Sequence, residues 1–237
     1  MNGTTYTTGA ISANCTISAS FTPSSSFQIT LVAGWNLLGN SINAPMTVAS
    51  AFGNSTNVST VWKWEPSGSK AGITYPTWAF YTPTLADGGQ AYASTNGYDF
   101  LTTINGGDGF WVKAKVAFTS QLPVGTAIST SNFADQQPPL INKLPQGWSL
   151  IAVGDNPTPR SFANTISLTP PSSPNMAATS LTTLWAWDSA NTNWYFYAPS
   201  LDNAGTLTSY ITSKNYEDFT AKGKTLDQTT GFWVKHP

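Results

Sequence analysis

The pentapeptide GFWVK occurs twice, at residues 109–113 and 231–235, and four further blocks recur with it in the same order. GWNLL at 34–38 matches GWSLI at 147–151, and TVWKWE at 60–65 matches TLWAWD at 183–188. WAFYTPTL at 78–85 matches WYFYAPSL at 194–201, and GYDF at 97–100 matches NYEDF at 215–219. The ten tryptophans divide five and five between the two sets. Matched blocks in constant order, about 115–120 residues apart, mark a tandem duplication. Whatever one unit folds into, the chain holds it twice.

The pattern inside a unit is that of strands. Trp62 and Trp64 alternate with Lys63 and Glu65, and in GFWVK the pair Phe110 and Val112 alternates with Trp111 and Lys113. Turn-forming runs bound these segments: EPSGSK, NGGDG and SANTN. Short helices are expected at 47–53, at 160–166 and in the stretches leading to GYDF and NYEDF. The predicted fold is mainly β: two tandem copies of a small antiparallel β-domain with short helical insertions, preceded by a short β segment. The expected division is a β segment at 1–29, one repeat at 30–118, a Pro-rich linker holding a returning strand at 119–143, and the second repeat at 144–237. The segment CTISASF is expected to add to a sheet edge, because an unpaired strand exposes a row of backbone donors and acceptors.

Composition narrows the function. Only 9% of residues are charged, against about a quarter in an average soluble domain. The net charge of −1 supplies no basic field for nucleic acid or an anionic membrane. No apolar run reaches the roughly 18 residues of a membrane span, so no nucleic acid and no membrane insertion are expected. The opening MNGTTYTTGAISANC has neither the basic nor the apolar region of a signal peptide. The reading therefore places a signal, and further domains of a larger secreted protein, outside this sequence.

Catalytic and metal chemistry find few residues. The single histidine, His236, stands next to the C-terminus and the single cysteine, Cys15, lies in the N-terminal segment. This excludes His/Cys metal sites by count and leaves no triad with a dependable base. The loops LADGGQ and NGGDGF read as turns rather than calcium loops. Glu65 with Asp188, and Asp99 with Asp218, are the matched carboxylates; they read as turn caps rather than as the acid pair of a glycosidase. No catalytic residue, cofactor or metal is assigned, and the chain is read as not an enzyme.

The motifs AGWNLLGNSINAP, VSTVWKWE, WAFYTP and YDFLTTINGGDGFWVK resemble a repeat of secreted and surface-attached proteins of environmental bacteria and archaea. Its form is a GWNLIS opening, a VWAY middle and a GYWI close. TTGAISANCTISASFT at 7–22 is similar to the closing strands of the Listeria-type internalin B repeat family. The resemblance implies an exported, modular, cell-surface or secreted protein and carries no established activity. The second copy departs from the pattern where GKTLDQTTGFWV stands for LTTINGGDGFWV, so its last loop is not expected to be equivalent.

The aromatic residues remain. Sugar rings present flat C–H faces that stack on Trp and Tyr, while amides and Lys bond their hydroxyls. Trp35, Trp62 and Trp64, with Trp148, Trp185 and Trp187, are expected in the core, as are Trp78, Phe80, Phe110 and Val112. Trp111 and Lys113, with Trp233 and Lys235, alternate away from that face, and so do Tyr81 and Tyr197. These six form the expected ligand surface of a non-catalytic extracellular module for polysaccharide. The alternative is a structural or adhesion module that packs against a cell-surface partner. Exposure decides between them: a cradle of solvent-facing rings favours the first, and ten buried tryptophans the second.

Overall fold

A computed structural model describes residues 27–66, 76–131, 147–166 and 181–236. The strand CTISASF, with Cys15, lies outside these residues. Among the described residues, fourteen strands and five short helices of defined bounds follow one another. The first copy runs β1 (Gln28–Leu31), β2 (Gly34–Gly39), β3 (Met46–Thr47), α1 (Val48–Phe52), β4 (Val58–Glu65), β5 (Thr77–Tyr81), α2 (Gln90–Thr95), β6 (Asp99–Phe100), β7 (Thr103–Ile104), β8 (Gly109–Ala114) and β9 (Phe118–Gln121). The second runs β10 (Gly147–Ile151), α3 (Pro159–Ile166), β11 (Thr183–Asp188), β12 (Asn193–Tyr197), α4 (Pro199–Asn203), α5 (Leu207–Lys214), β13 (Glu217–Asp218) and β14 (Phe232–His236). The fold is mainly β, and the short helices fall where the sequence places them, with α4 in addition.

Two five-stranded sheets carry the molecule, in the orders β2-β8-β4-β5-β6 and β10-β14-β11-β12-β13. Strand for strand these orders correspond, each antiparallel except for a last parallel pair. Both opening strands begin at a glycine with positive φ, Gly34 at 104° and Gly147 at 98°. That conformation is disfavoured by a Cβ, so the GW of each motif is a backbone requirement.

One face of each sheet is closed by α1 or α3, joined in the first copy by β1. In the first copy Val58, Val61, Tyr81, Phe110 and Val112 meet Phe52 of α1 and Ile29 and Leu31 of β1, and β1 pairs with β9. In the second, Leu184, Ala186, Tyr195, Tyr197, Phe232 and Val234 meet Phe162, Ala163 and Ile166 of α3. The same ring contact anchors both helices: Phe52 lies 5.6 Å from Phe110, and Phe162 lies 5.1 Å from Phe232. The amide of Ser161 donates to the Thr158 hydroxyl, which satisfies a free donor in the first turn of α3.

The buried faces differ in charge at one site. In the first copy Lys63, 6% exposed, stands opposite Ala79, and its ammonium lies 3.1 Å from Glu65 and 2.7 Å from Asp108. In the second copy the small residue moves to the other strand: Ala186 stands opposite Tyr195. The Tyr195 hydroxyl then donates to Asp188, the counterpart of Glu65, at 3.3 Å. Burial alone lowers the pKa of Lys63, but the carboxylates of Asp108 and Glu65 outweigh it and raise the value above the ordinary one. Burial, with Asp188 beside it, pushes Tyr195 up to about 12.

The copies meet through reciprocal contacts, as expected for an approximate two-fold relation. Leu38 bridges to Thr230, and its counterpart Ile151 bridges to Asp108. The amide of Gly39 donates to the Thr229 carbonyl, and that of Ala152 donates to the Gly107 carbonyl, both at 2.9 Å. A Cβ on Gly231 would lie 2.0 Å from the Leu38 carbonyl oxygen, so that approach requires glycine. The chain after β9 straps the junction. Ile128 donates to the Ser41 carbonyl and accepts from the Gly154 amide, and Asp155 accepts from the amide and hydroxyl of Thr130.

Candidate functional site

The second face of each sheet carries the tryptophans. Strand register puts Trp35, Trp62, Trp64, Trp78 and Trp111 on one side of the first sheet, with Trp62 opposite Trp111 and Trp64 opposite Trp78. Trp148, Trp185, Trp187, Trp194 and Trp233 occupy the equivalent places in the second. None of the ten is buried, and Trp35 and Trp148 are 40% and 39% exposed.

This corrects the expected core. The alternation within each strand holds, but Trp35, Trp62, Trp64 and Trp78 and their counterparts lie on the face turned away from the closed core. Tyr81 and Tyr197, expected outside, are 7% and 6% exposed and lie in the cores. The reason is what covers each face: α1 and α3 dock on the Val- and Phe-bearing side, so Tyr81 and Tyr197 are enclosed with it. The Tyr197 hydroxyl donates to Asp202 at 2.9 Å. Burial, followed by the Asp202 carboxylate, raises its pKa. Neither tyrosine shares a face with Trp111 or Trp233, so the expected six-residue surface is not assembled. Trp111, Lys113, Trp233 and Lys235 do stand on the tryptophan faces.

Contacts between the copies bring these faces together. Trp111 lies 5.8 Å from both Trp187 and Trp194, and Trp233 lies 6.1 Å from Trp64 and 5.8 Å from Trp78. The indole N–H of Trp64 donates to the Trp148 carbonyl at 2.8 Å, and that of Trp187 donates to the Trp35 carbonyl at 3.0 Å. Rings within a sheet meet edge to face, with Trp35 and Trp111 at 89° and Trp148 and Trp233 at 90°. That geometry suits the opposite charge of ring edges and faces.

Two pockets result. One, of about 360 Å³, is walled by Trp64, Trp78, Trp148, Trp185, Trp194 and Trp233. The other, of about 490 Å³, is walled by Trp35, Trp62, Trp78, Trp111, Trp187 and Trp194, with Tyr98. Exchanging each tryptophan for its counterpart converts one list into the other. Each pocket draws four tryptophans from one copy and two from the other, and Trp78 and Trp194 wall both. Volumes of this order suit small ligands or segments of a polymer.

Polar groups at the cleft are few. The indole N–H of Trp185 is buried without an acceptor among the described residues. Lys113 holds its ammonium 5.5 Å from the centre of the Trp35 ring, and Lys235 holds its own 5.7 Å from that of Trp148. The matched carboxylates lie elsewhere: Asp188 and Asp218 accept backbone amides of the turns that follow them, and Glu65 binds Lys63. Asp87 of LADGGQ accepts the amides of Gly89 and Ala91, and Asp108 of NGGDGF that of Asn105. Among the described residues no three His, Cys, Asp or Glu side chains group as a metal site, and no helix is long and apolar enough to cross a membrane.

The sequence reading missed Trp35, Trp62, Trp64 and Trp78, and Trp148, Trp185, Trp187 and Trp194, as wall residues. The polar signal in the sequence, Lys113 on the face of Trp111 and Lys235 on that of Trp233, covers β8 and β14 alone. Comparison with protein-family models, curated proteins and solved structures returns no match.

Proposed function

We propose that the protein is a non-catalytic binding module of the cell surface or extracellular space that takes carbohydrate in its tryptophan cleft. One observation carries the reading: six partly exposed indole rings wall each of two equivalent pockets. Exposed aromatic surface on this scale is costly in water and marks a contact surface. Stacking on C–H faces uses rings without requiring many polar groups. Two equivalent pockets raise avidity for a repeating ligand. The resemblance to surface-protein repeats supports the location.

A glycan array, followed by pull-down on the polysaccharides it selects, tests this with the intact protein and its Trp111→Ala/Trp233→Ala variant. Binding by the former and its loss in a folded variant is the expected result. Absence of glycan binding by the intact protein overturns the reading.

The second reading is a structural or adhesion module. The inter-copy bonds of Trp64 and Trp187 favour it, because those indoles also hold the two units together. On that reading tryptophan truncation separates the copies and no small ligand is found.

A further inference from the structure

We infer that the ligand of the cleft is an anionic glycan, whose carboxylate or sulfate groups meet the ammonium groups of Lys113 and Lys235. This rests on the carbohydrate reading and narrows it. On the tryptophan-bearing side of β2, β8, β4 and β5, and of β10, β14, β11 and β12, strand register leaves these two lysines as the only charged residues. They hold equivalent places: Lys113 stands across from Trp35 and Thr60, and Lys235 across from Trp148 and Thr183.

Neither ammonium has a carboxylate partner among the described residues, although the chain carries more acidic than basic side chains. The acid nearest each in sequence is engaged with another cation: Asp108 binds Lys63 and Asp227 binds Lys224. A ring quadrupole attracts a cation without neutralising it. Each lysine is therefore held over a ring that also walls a pocket, with its charge uncompensated. A sugar stacked in the cleft places its substituents beside that charge, and an anionic one adds the attraction of opposite charges to the hydrogen bond that a hydroxyl also makes. The same charge repels cationic ligands, so the aromatic walls do not serve a quaternary ammonium group. Two lysines at equivalent pockets match a polymer that repeats its charge.

The test uses an array of neutral, uronate-bearing and sulfated glycans, then titration calorimetry with oligogalacturonate and its carboxyl-reduced neutral twin. At low salt the acid form should bind about fivefold tighter or more than its twin, since the pairs are partly exposed. About tenfold higher ionic strength should close that gap. Lys113→Gln/Lys235→Gln should erase the gap, Lys113→Arg/Lys235→Arg should keep it, and Lys115→Gln/Lys214→Gln, off the cleft, should leave it unchanged. Preference for sulfated over uronate glycans identifies the anion and supports the inference equally.

Binding confined to neutral glycans, a gap that survives Lys113→Gln/Lys235→Gln, or equal loss in the off-cleft control overturns the anionic assignment and leaves the carbohydrate reading standing. Failure of every glycan overturns both. Tighter binding of a single-stranded oligonucleotide of equal charge also overturns both, in favour of nucleic acid.

Discussion

Trp64 reaches across the junction and donates its indole N–H to the main-chain carbonyl of Trp148, 2.8 Å away and in the other copy. Trp187 returns the bond to Trp35 at 3.0 Å. The cleft walls and the junction between the copies are thus built from the same rings, so shape and stability are coupled. Trp64→Phe and Trp187→Phe keep an aromatic ring and lose the donor. Each should cost about 1 kcal/mol, read from urea unfolding, and the double variant should alter tryptophan fluorescence as the rings reorient.

Trp111 and Phe110 are adjacent in sequence and opposite in role. Phe110 is fully buried against Phe52, so Phe110→Ala should cost about 3–5 kcal/mol. Trp111→Ala removes a partly exposed ring that contacts Trp187 and Trp194, and should cost about 1–2 kcal/mol by comparison. Thermal melts of the two variants should differ in that order; equal losses would place Trp111 in the core energetically.

Lys63 tests the buried ion cluster. Lys63→Ala leaves Glu65 and Asp108 without their cation and should cost about 3–5 kcal/mol. The second copy shows how to relieve it: Lys63→Ala with Ala79→Tyr and Asp108→Thr reproduces the Ala186, Tyr195 and Thr230 arrangement. The triple variant should recover most of the loss in chemical denaturation. No recovery would mean that the two cores are not interchangeable at this site.

Stability should fall in strong base. The pKa values of Lys63 and Tyr195 are raised in the folded state, Tyr195 from 10.0 to about 12. The unfolded chain therefore loses these protons first, and binds fewer than the folded one above about pH 10. Their contribution is complete below that pH and disappears as pH rises through the folded values. Denaturation midpoints should hold to about pH 9.5 and decline beyond it. A spectrophotometric tyrosine titration should show a group near 12.

Gly231 marks the closest approach of the copies. Gly231→Ala would push a methyl group into the Leu38 carbonyl and should destabilise by about 1–3 kcal/mol, the usual range for overpacking. Ala introduced at Gly97, where nothing lies within 4 Å but φ is +73°, separates steric from conformational cost. Thermal denaturation should rank Gly231→Ala as the worse.

Strand positions were legible because alternation survives in short segments: Trp62, Lys63 and Trp64 do point to opposite sides, and the matched blocks do form matched strands. Which side is interior was not legible. Bulk suggested that tryptophan fills the core, yet the side closed by α1 and α3 holds Val61, Val112, Leu184 and Val234. That choice depends on where helices outside the strand dock, which the alternation of a strand does not encode. Lys63 shows the limit most sharply. It reads as solvent-facing, and its burial follows only from the return of Asp108 to its side. The cleft itself was invisible for a further reason: two of the six tryptophans around each pocket come from the other copy, and no motif within one copy specifies them.

The reciprocal bridges Leu38–Thr230 and Ile151–Asp108 have the form of a homodimer contact folded into a single polypeptide. In a homodimer every substitution is made twice, so both subunits must tolerate it. Covalent fusion lifts that restriction. One half holds Lys63 against Ala79 while the other holds Ala186 against Tyr195, and each solution needs to work only once. Asymmetry of this kind, an ion cluster in one core and a tyrosine in the other beneath near-identical tryptophan walls, is open to a fused pair and closed to a symmetric one.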